Sequence, residues 1–348
     1  MTQIAARASR RRAARSPEAE PGPRLALLFP GQGSQHPGMG KRIAETSEAA
    51  RQVFGEADAA LGFSLSQLCF EGSAGELGDT VNAQPAILAT SLAHLAYLRE
   101  RLQQMGRRLR PSFLAGHSLG QFTAAVAANS LDFGEGLRLV LERGRVMTER
   151  ARTRPGGMVS VIGLSEREVR QVCRDAAPQG KVAVAVVNGP GRTVISGEEL
   201  ALQRAMQLAR KRGARVLRLS ISVPGHIPLM RDAARELSRF ISKLQFRDPE
   251  TPLVSNLSAR LLTSADEVRQ ELSDQMCAAV QWARCVVAMA NEGTGVFLEV
   301  GPGHALTRMV SRIRDDVTAV SAEETPPEDM LKLTVPLRGA VRVPVRPA

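Results

Sequence analysis

Aromatic residues are scarce: Phe, Trp and Tyr make up 3% of the 348 residues, with one Trp and one Tyr. So few flat rings argue against base-stacking platforms, and with no RNA- or DNA-binding motif a nucleic-acid partner is not expected. The core must then be built from Leu, Val, Ile and Ala, and a 43% hydrophobic fraction suffices for a large domain carrying a smaller one. Four cysteines, Cys69, Cys173, Cys277 and Cys285, lack paired spacing. That gives neither a zinc pattern nor a disulfide framework, and a reducing cytoplasm fits. No metal-ligand set, nucleotide-binding fingerprint or internal repeat is visible. Residues 1–23 hold five arginines but no apolar stretch suited to a signal peptide or membrane span, so a disordered basic arm is expected there.

The formal net charge is +11, and the arm accounts for only +3 of it, five arginines against two glutamates. A basic body favours acidic partners, among them phosphate-bearing substrates and acidic carrier proteins.

Along the chain, "RLALLF" and "SFLAG" read as buried strands, and helical segments follow each, including one over 84–105 that opens at Gln84-Pro85. This alternation points to an α/β fold with a parallel sheet. Between 156 and 223 the order becomes β-α-β-β-α-β, that of a ferredoxin-like unit, read as a small subdomain inserted into the large one. The large part comprises 24–155 and 224–321, with a helix over 228–244, a strand at "PLVSNLS", a helix around 265–291 and a strand-turn-helix at "GVFLEVGPGHAL". Residues 322–348 read as a Pro-broken C-terminal extension.

Gly116-His117-Ser118-Leu119-Gly120 lies between a strand and a small-residue helix, the pattern of a nucleophile elbow. Ser118 is therefore a candidate nucleophile, with a plain turn serine as the alternative. A serine hydroxyl needs a base. Of the five histidines, His117 adjoins the serine and points elsewhere in a tight elbow, His36 and His304 sit in Gly/Pro-rich loops, and His94 lies within a helix. His226, after a strand in "SVPGH", is the chosen general base.

"FPGQGSQ", "GHSLG", "ERGRVM", "NGPGRTVISG", "SVPGH" and "LEVGPG", in that order over 24–315, resemble malonyl-CoA:acyl carrier protein transacylases and the acyltransferase domains of polyketide synthases. The combination is specific although each piece is not. The resemblance implies an α/β-hydrolase-like domain with an inserted ferredoxin-like subdomain. It implies that Ser118 attacks an acyl-CoA thioester, that His226 accepts and returns the proton, and that the acyl-serine passes its unit to a carrier's phosphopantetheine thiol. Gln275 matches the position whose backbone carbonyl holds the histidine ring. The backbone N–H groups of Gln32 and Leu119 match the oxyanion hole, where losing one donor costs roughly 3–4 kcal/mol, with a plain strand-end turn as the alternative for "PGQGSQ".

Arg143 lies at the edge of an apolar helical face formed by Leu137, Val140, Leu141, Gly144 and Met147. In the resembling family this position grips the free carboxylate of a malonyl or 2-substituted malonyl unit, a bidentate task suited to Arg, with a surface arginine on a solvated helix flank as the alternative. Arg138 and Arg145 read as solvated flank residues. Asn188 and Asn256 match positions that line or support the pocket, with turn residues as the alternative.

Two departures stand out. Gln121 occupies a position usually held by Glu, and Gly225 precedes the base where Ser or Phe is common. Gly225 either leaves room for a 2-alkylmalonyl unit or serves a backbone need such as positive φ.

Transfer of a malonyl or 2-substituted malonyl unit from CoA to an acyl carrier protein is the leading expectation. An editing acyl hydrolase using the same serine and a non-catalytic docking module are the alternatives. Acyl-CoA enters as a substrate, no cofactor or metal is expected, and the expected unit is a cytoplasmic monomer without membrane attachment.

Overall fold

The computed structural model describes residues 24–221, 223–333 and 335–336. The expected basic arm at 1–23, Ser222, and residues 337–348 of the extension lie outside the described residues.

In chain order the site-bearing elements begin with β1 (Arg24–Phe29), α1 (Thr80–Gln104), β2 (Pro111–Gly116), α2 (Gly120–Ala127) and α3 (Phe133–Thr153). The second unit is β3 (Gly156–Ile162), α4 (Glu166–Ala176), β4 (Val182–Gly189), β5 (Arg192–Glu198), α5 (Glu199–Lys211) and β6 (Arg215–Arg218). The chain returns through α6 (Arg231–Ile241), β7 (Leu253–Val254), β8 (Leu261–Leu262), α7 (Ala265–Asp274), α8 (Trp282–Asn291), β9 (Thr294–Glu299), α9 (Ala305–Ile313) and β10 (Thr318–Ser321).

The larger sheet has the order β10-β9-β1-β2-β7-β8, parallel throughout except for the antiparallel edge strand β8. Its central strand is apolar on both faces, as a sheet covered by helices on both sides requires. Leu25, Leu27 and Phe29 join the core formed with α1 and α3, whereas Ala26 and Leu28 join Trp282 and Phe297 on the other side. That is the two-residue period of a strand, with each set facing its own helical layer. The smaller sheet has the order β4-β5-β3-β6, antiparallel throughout, with its own core of Val159, Val161, Val169, Ile195 and Leu202.

Several expected elements are displaced. The helix expected over 84–105 begins at Thr80, because Asp79 caps it by accepting the Val81 N–H at 2.8 Å; Pro85 thus lies inside the helix. The single helix expected over 265–291 is two, α7 and α8, parted by a 3₁₀ turn at Gln275–Cys277. The helix expected over 228–244 starts as a 3₁₀ turn at Pro228–Met230 and runs as α6 only to Ile241. The strand in "PLVSNLS" is two residues long, since Ser255 and Asn256 turn their hydrogen bonds toward α7. Part of the expected extension is packed: Met330 is buried, and Glu323 accepts hydrogen bonds from the Gly303 N–H and His36.

The loops after β1, β2 and β9 emerge together at the carboxyl ends of neighbouring parallel strands, where open α/β sheets hold their ligands.

Candidate active site

Ser118 follows β2 with φ of 54°, in the left-handed region that only a tightly held serine occupies. The flanking glycines are steric necessities. A Cβ at Gly116 would lie 1.8 Å from the Gly120 backbone carbon, and one at Gly120 would lie 2.0 Å from the Phe29 carbonyl oxygen. Strand β1 and helix α2 can then approach closely enough to lift the Ser118 hydroxyl above the sheet.

That hydroxyl is 2.6 Å from His226 Nε2. His226 is also left-handed, at φ 59°, and its N–H donates to the Met276 carbonyl at 2.8 Å. Its Nδ1 sits 2.8 Å from the Gln275 carbonyl oxygen. A carbonyl only accepts, so Nδ1 carries the hydrogen and a neutral ring presents the Nε2 lone pair to serine. The break between α7 and α8 is what frees this carbonyl. Burial first, and the Arg143 cation second, push the His226 pKa down to about 3. The resting imidazole is neutral.

Arg143 projects from α3, which lies hard against the start of α1; a Cβ at Gly144 would come within 2.8 Å of the Thr80 carbonyl oxygen. Arg143 is 2% exposed. Nη1 donates to Gln84 Oε1 at 2.7 Å, Nη2 reaches Ser118 Oγ at 3.4 Å, and the Phe122 ring centroid is 5.3 Å from Cζ. Its buried Nε has no acceptor, and no carboxylate pairs with it among the described residues. Burial lowers its pKa to about 10, which still leaves a full positive charge at neutral pH. A buried, unpaired ion costs several kcal/mol. The site is short of one anion.

Asn256 Oδ1 accepts the Ser118 N–H at 2.9 Å, and its Nδ2 donates to the Gly116 carbonyl at 2.7 Å. Asn188 instead meets His117, accepting from Nε2 at 2.8 Å, while the His117 ring packs edge-on against Trp282. His117 is thus a half-buried residue held by Asn188 and Trp282. The Gln32 side chain donates to Thr80 Oγ1 at 3.0 Å. The backbone N–H groups of Gln32 and Leu119 meet no acceptor among the described residues. Gly225 has no positive φ, so a left-handed backbone does not explain it. A Cβ there would meet only the Met147 methyl at 3.5 Å and Met158 Sδ at 3.9 Å.

The other histidines stay apart. His94 is buried with Nδ1 on the Thr90 carbonyl, and His36 and His304 pair with Glu323 and Glu324. Arg145 is exposed and paired with Glu142 and Glu236, and Arg138 is also exposed.

Three residues at the site escape sequence reasoning. Gln84, which orients Arg143, follows the displaced start of α1 and carries no signal of its own. Glu271 is buried, and accepts from the Ser255 hydroxyl and the Asn256 N–H, both at 2.6 Å. A signal for it exists: Val268, Glu271, Leu272 and Gln275 repeat at helical spacing, so two polar groups stand in an apolar stripe. Gln121 is noted in the sequence only for its missing charge, yet it is fully buried. Its Oε1 accepts from the Gly116 N–H at 3.0 Å and its Nε2 donates to the Val254 carbonyl at 3.0 Å.

Among known proteins, residues 26–330 match the acyl transferase domain family. The chain belongs to that family. Malonyl CoA-acyl carrier protein transacylase of Bacillus subtilis (strain 168) is 38% identical over 306 residues, covering 87% of this chain and 95% of the relative. The Escherichia coli (strain K12) protein of the same name is 39% identical over 301 residues, 86% of this chain and 96% of its own. Among solved structures, a malonyl-transacylase in complex with a type II PKS acyl-carrier protein superposes with a TM-score of 0.83 at 36% identity, covering 88% of this chain and 98% of that one. The acyl-carrier-protein-S-malonyltransferase of Bartonella henselae gives 0.84 at 34% identity, with 89% and 99% covered.

Proposed function

We propose that this protein transfers a malonyl or 2-substituted malonyl unit from CoA to the phosphopantetheine thiol of an acyl carrier protein through an acyl ester on Ser118, in fatty acid or polyketide biosynthesis. The observation that carries the reading is the buried Arg143 cation, without a counter-anion and within reach of the Ser118 hydroxyl. A dicarboxylic acyl group supplies the missing anion and in the same act brings its thioester to the serine.

In the first half-reaction His226 Nε2 takes the Ser118 proton while Oγ attacks the thioester carbonyl. The N–H groups of Gln32 and Leu119 receive the oxyanion. The C–S bond breaks, and the imidazolium returns its proton to the departing CoA sulfur. In the second half-reaction a carrier thiol gives its proton to His226 and attacks the ester carbonyl; the Oγ–acyl bond breaks, and the imidazolium passes that proton to the departing Ser118 oxygen. The Gln275 carbonyl holds the ring in the required tautomer, a role played elsewhere by a carboxylate.

An editing hydrolase would share the serine and the base. It would have no use for a cation buried beside them.

The larger sheet with its flanking helices is read as α/β-hydrolase-like, spanning 24–155 and 224–321, and the β3–β6 unit over 156–223 as a ferredoxin-like insert; the two meet at the hydrogen bond between Asn188 and His117. Acyl-CoA is a substrate, with no resident cofactor or metal, and a cytoplasmic monomer is the working unit. Among the described residues no helix is long and apolar enough to cross a membrane. Gly225 beside two flexible methionines favours a pocket that admits a substituent on the malonyl α-carbon.

The carrier is expected on α9. This helix leaves the loop in which Gly303 packs on Ser34, and its far end, Ile313, packs on Gly189 beside Asn188. Arg308 and Arg312 lie one turn apart on its exposed face, and neither has a carboxylate partner among the described residues. Like charges at that spacing repel, and an acidic carrier relieves them.

To test the reading, malonylated enzyme freed of CoA is mixed with a holo-carrier, and malonyl-carrier and free malonate are quantified. Carrier-dependent transfer faster than malonate release is the expected result; malonate as the main product regardless of carrier would favour the hydrolase.

A further inference from the structure

We propose that the Gln275 side chain is a positioning device for the nucleophile, independent of the residue's own main-chain carbonyl, and that with Asn256 it clasps the Ser118 peptide in its left-handed turn. The inference rests on the reading of Ser118 and His226 as the reacting pair, and assigns a second duty to a residue that reading uses only through its backbone.

The elbow leaves the Ser118 N–H outside both the strand ladder and the helix that follows, while the Ser118 carbonyl already accepts the Gln121 N–H of that helix's first turn at 3.0 Å. Each of the two groups also meets a side chain from far away in sequence. Asn256 Oδ1 accepts the Ser118 N–H at 2.9 Å, and Gln275 Nε2 donates to the Ser118 carbonyl at 3.0 Å, alongside the Gln121 N–H. Gln275 Nε2 also lies 3.2 Å from Asn256 Oδ1, which closes the clasp.

The amide orientations are determined by the backbone. Asn256 must present oxygen to the Ser118 N–H, so Gln275 must present its NH₂ both to that oxygen and to the Ser118 carbonyl. As a result Gln275 Oε1 is buried with no donor among the described residues. An unpaired buried acceptor is unfavourable. A side chain chosen only to fill space would be apolar here, so the amide's remaining function is its N–H contacts.

Gln275 therefore touches both members of the reacting pair by different groups: its backbone oxygen fixes the His226 ring, and its side chain fixes the Ser118 backbone. The two duties are separable, because replacing the side chain leaves the carbonyl in place. Neither group touches Arg143, so capture of the substrate carboxylate is independent of both.

The test uses full-length Gln275→Met, which keeps the length without an N–H, and Gln275→Glu, which keeps the shape and donates only when protonated. Single-turnover acylation by malonyl-CoA is followed against concentration and pH. For Gln275→Met the rate should fall about 10- to 100-fold, the scale of an ångström's misplacement. Half-saturation should stay within about twofold and the acid limb of the pH profile should not move. For Gln275→Glu the rate relative to wild type should rise as the pH falls, which gives an independent reading should the Met variant fold poorly. A Met variant within about twofold of wild type, a shifted acid limb, or a Glu variant with a pH-independent ratio would each overturn the proposal. Loss of acylation in Ser118→Ala with full activity in Gln275→Met would remove this inference alone, whereas acylation surviving in Ser118→Ala would remove the reading beneath it.

Discussion

Arg143 Nη2 lies 3.4 Å from Ser118 Oγ, so the buried cation of the site reaches the hydroxyl proposed as the nucleophile. Among the described residues only dipoles and an aromatic face compensate that cation, and an incoming carboxylate would replace them. Arg143→Ala should lower malonyl-CoA acylation by at least about 100-fold, the weight of one or two charge-assisted hydrogen bonds. Acetyl-CoA labelling should not fall with it. Arg143→Lys should stay impaired, because one ammonium cannot hold both Gln84 and a carboxylate in a planar fork. Comparing the kcat/KM of both donors checks this.

Acylation needs a neutral His226, and its pKa of about 3 means that the imidazole is unprotonated through neutral pH. The rate should be flat there and fall only well below the ordinary histidine value of about 6.5. Removing the Arg143 cation removes one cause of the depression, so the acid limb should move upward in Arg143→Ala. Folding follows the same sign: below about 6.5 the unfolded chain binds a proton that the native ring refuses, so this contribution to stability, complete above that value, is lost as pH falls toward 3. Rate and chemical-denaturation profiles of wild type and His226→Gln separate the two effects.

Gly225→Phe would fill the space against Met147 and Met158. Activity with 2-alkylmalonyl-CoA should drop at least about tenfold relative to malonyl-CoA, the scale of hydrophobic-pocket discrimination. An unchanged ratio of the two kcat/KM values would remove the substituent pocket from the account.

Gln121 is satisfied as an amide: its oxygen accepts from Gly116 N–H and its nitrogen donates to the Val254 carbonyl. Gln121→Glu replaces the donor with a buried charge and should cost roughly 3 kcal/mol at neutral pH. The loss should shrink as the pH is lowered, because a protonated carboxyl can donate to Val254 again. Denaturation midpoints at two pH values measure it.

Double replacement of Arg308 and Arg312 by Glu should raise the KM for carrier several-fold and flatten its salt dependence. Self-acylation by malonyl-CoA should be unaffected. Equal loss in both half-reactions would locate the effect away from carrier docking.

The meeting of Ser118 and His226 was legible in sequence because an elbow needs glycines at fixed offsets, and of five histidines only one follows a strand in a Pro-Gly loop. The parallel sheet was legible through uniformly apolar strands such as β1. What escaped were long-range choices. The start of α1 depended on Asp79 capping rather than on Pro85, and the division of 265–291 depended on Gln275 being drawn to Ser118 and His226, partners 157 and 49 residues away. Glu271 and Gln84 act through side chains whose partners lie on other elements, which local periodicity does not encode. Gly225 kept two explanations in sequence, and its backbone angle removes one of them.

The most direct test of the account is the intact mass of the protein after brief exposure to malonyl-CoA or acetyl-CoA, for wild type, Ser118→Ala and Arg143→Ala. Wild type should carry one malonyl group, Ser118→Ala none, and Arg143→Ala little. Malonyl labelling that survives in either variant, or acetyl labelling of wild type equal to malonyl, would contradict it.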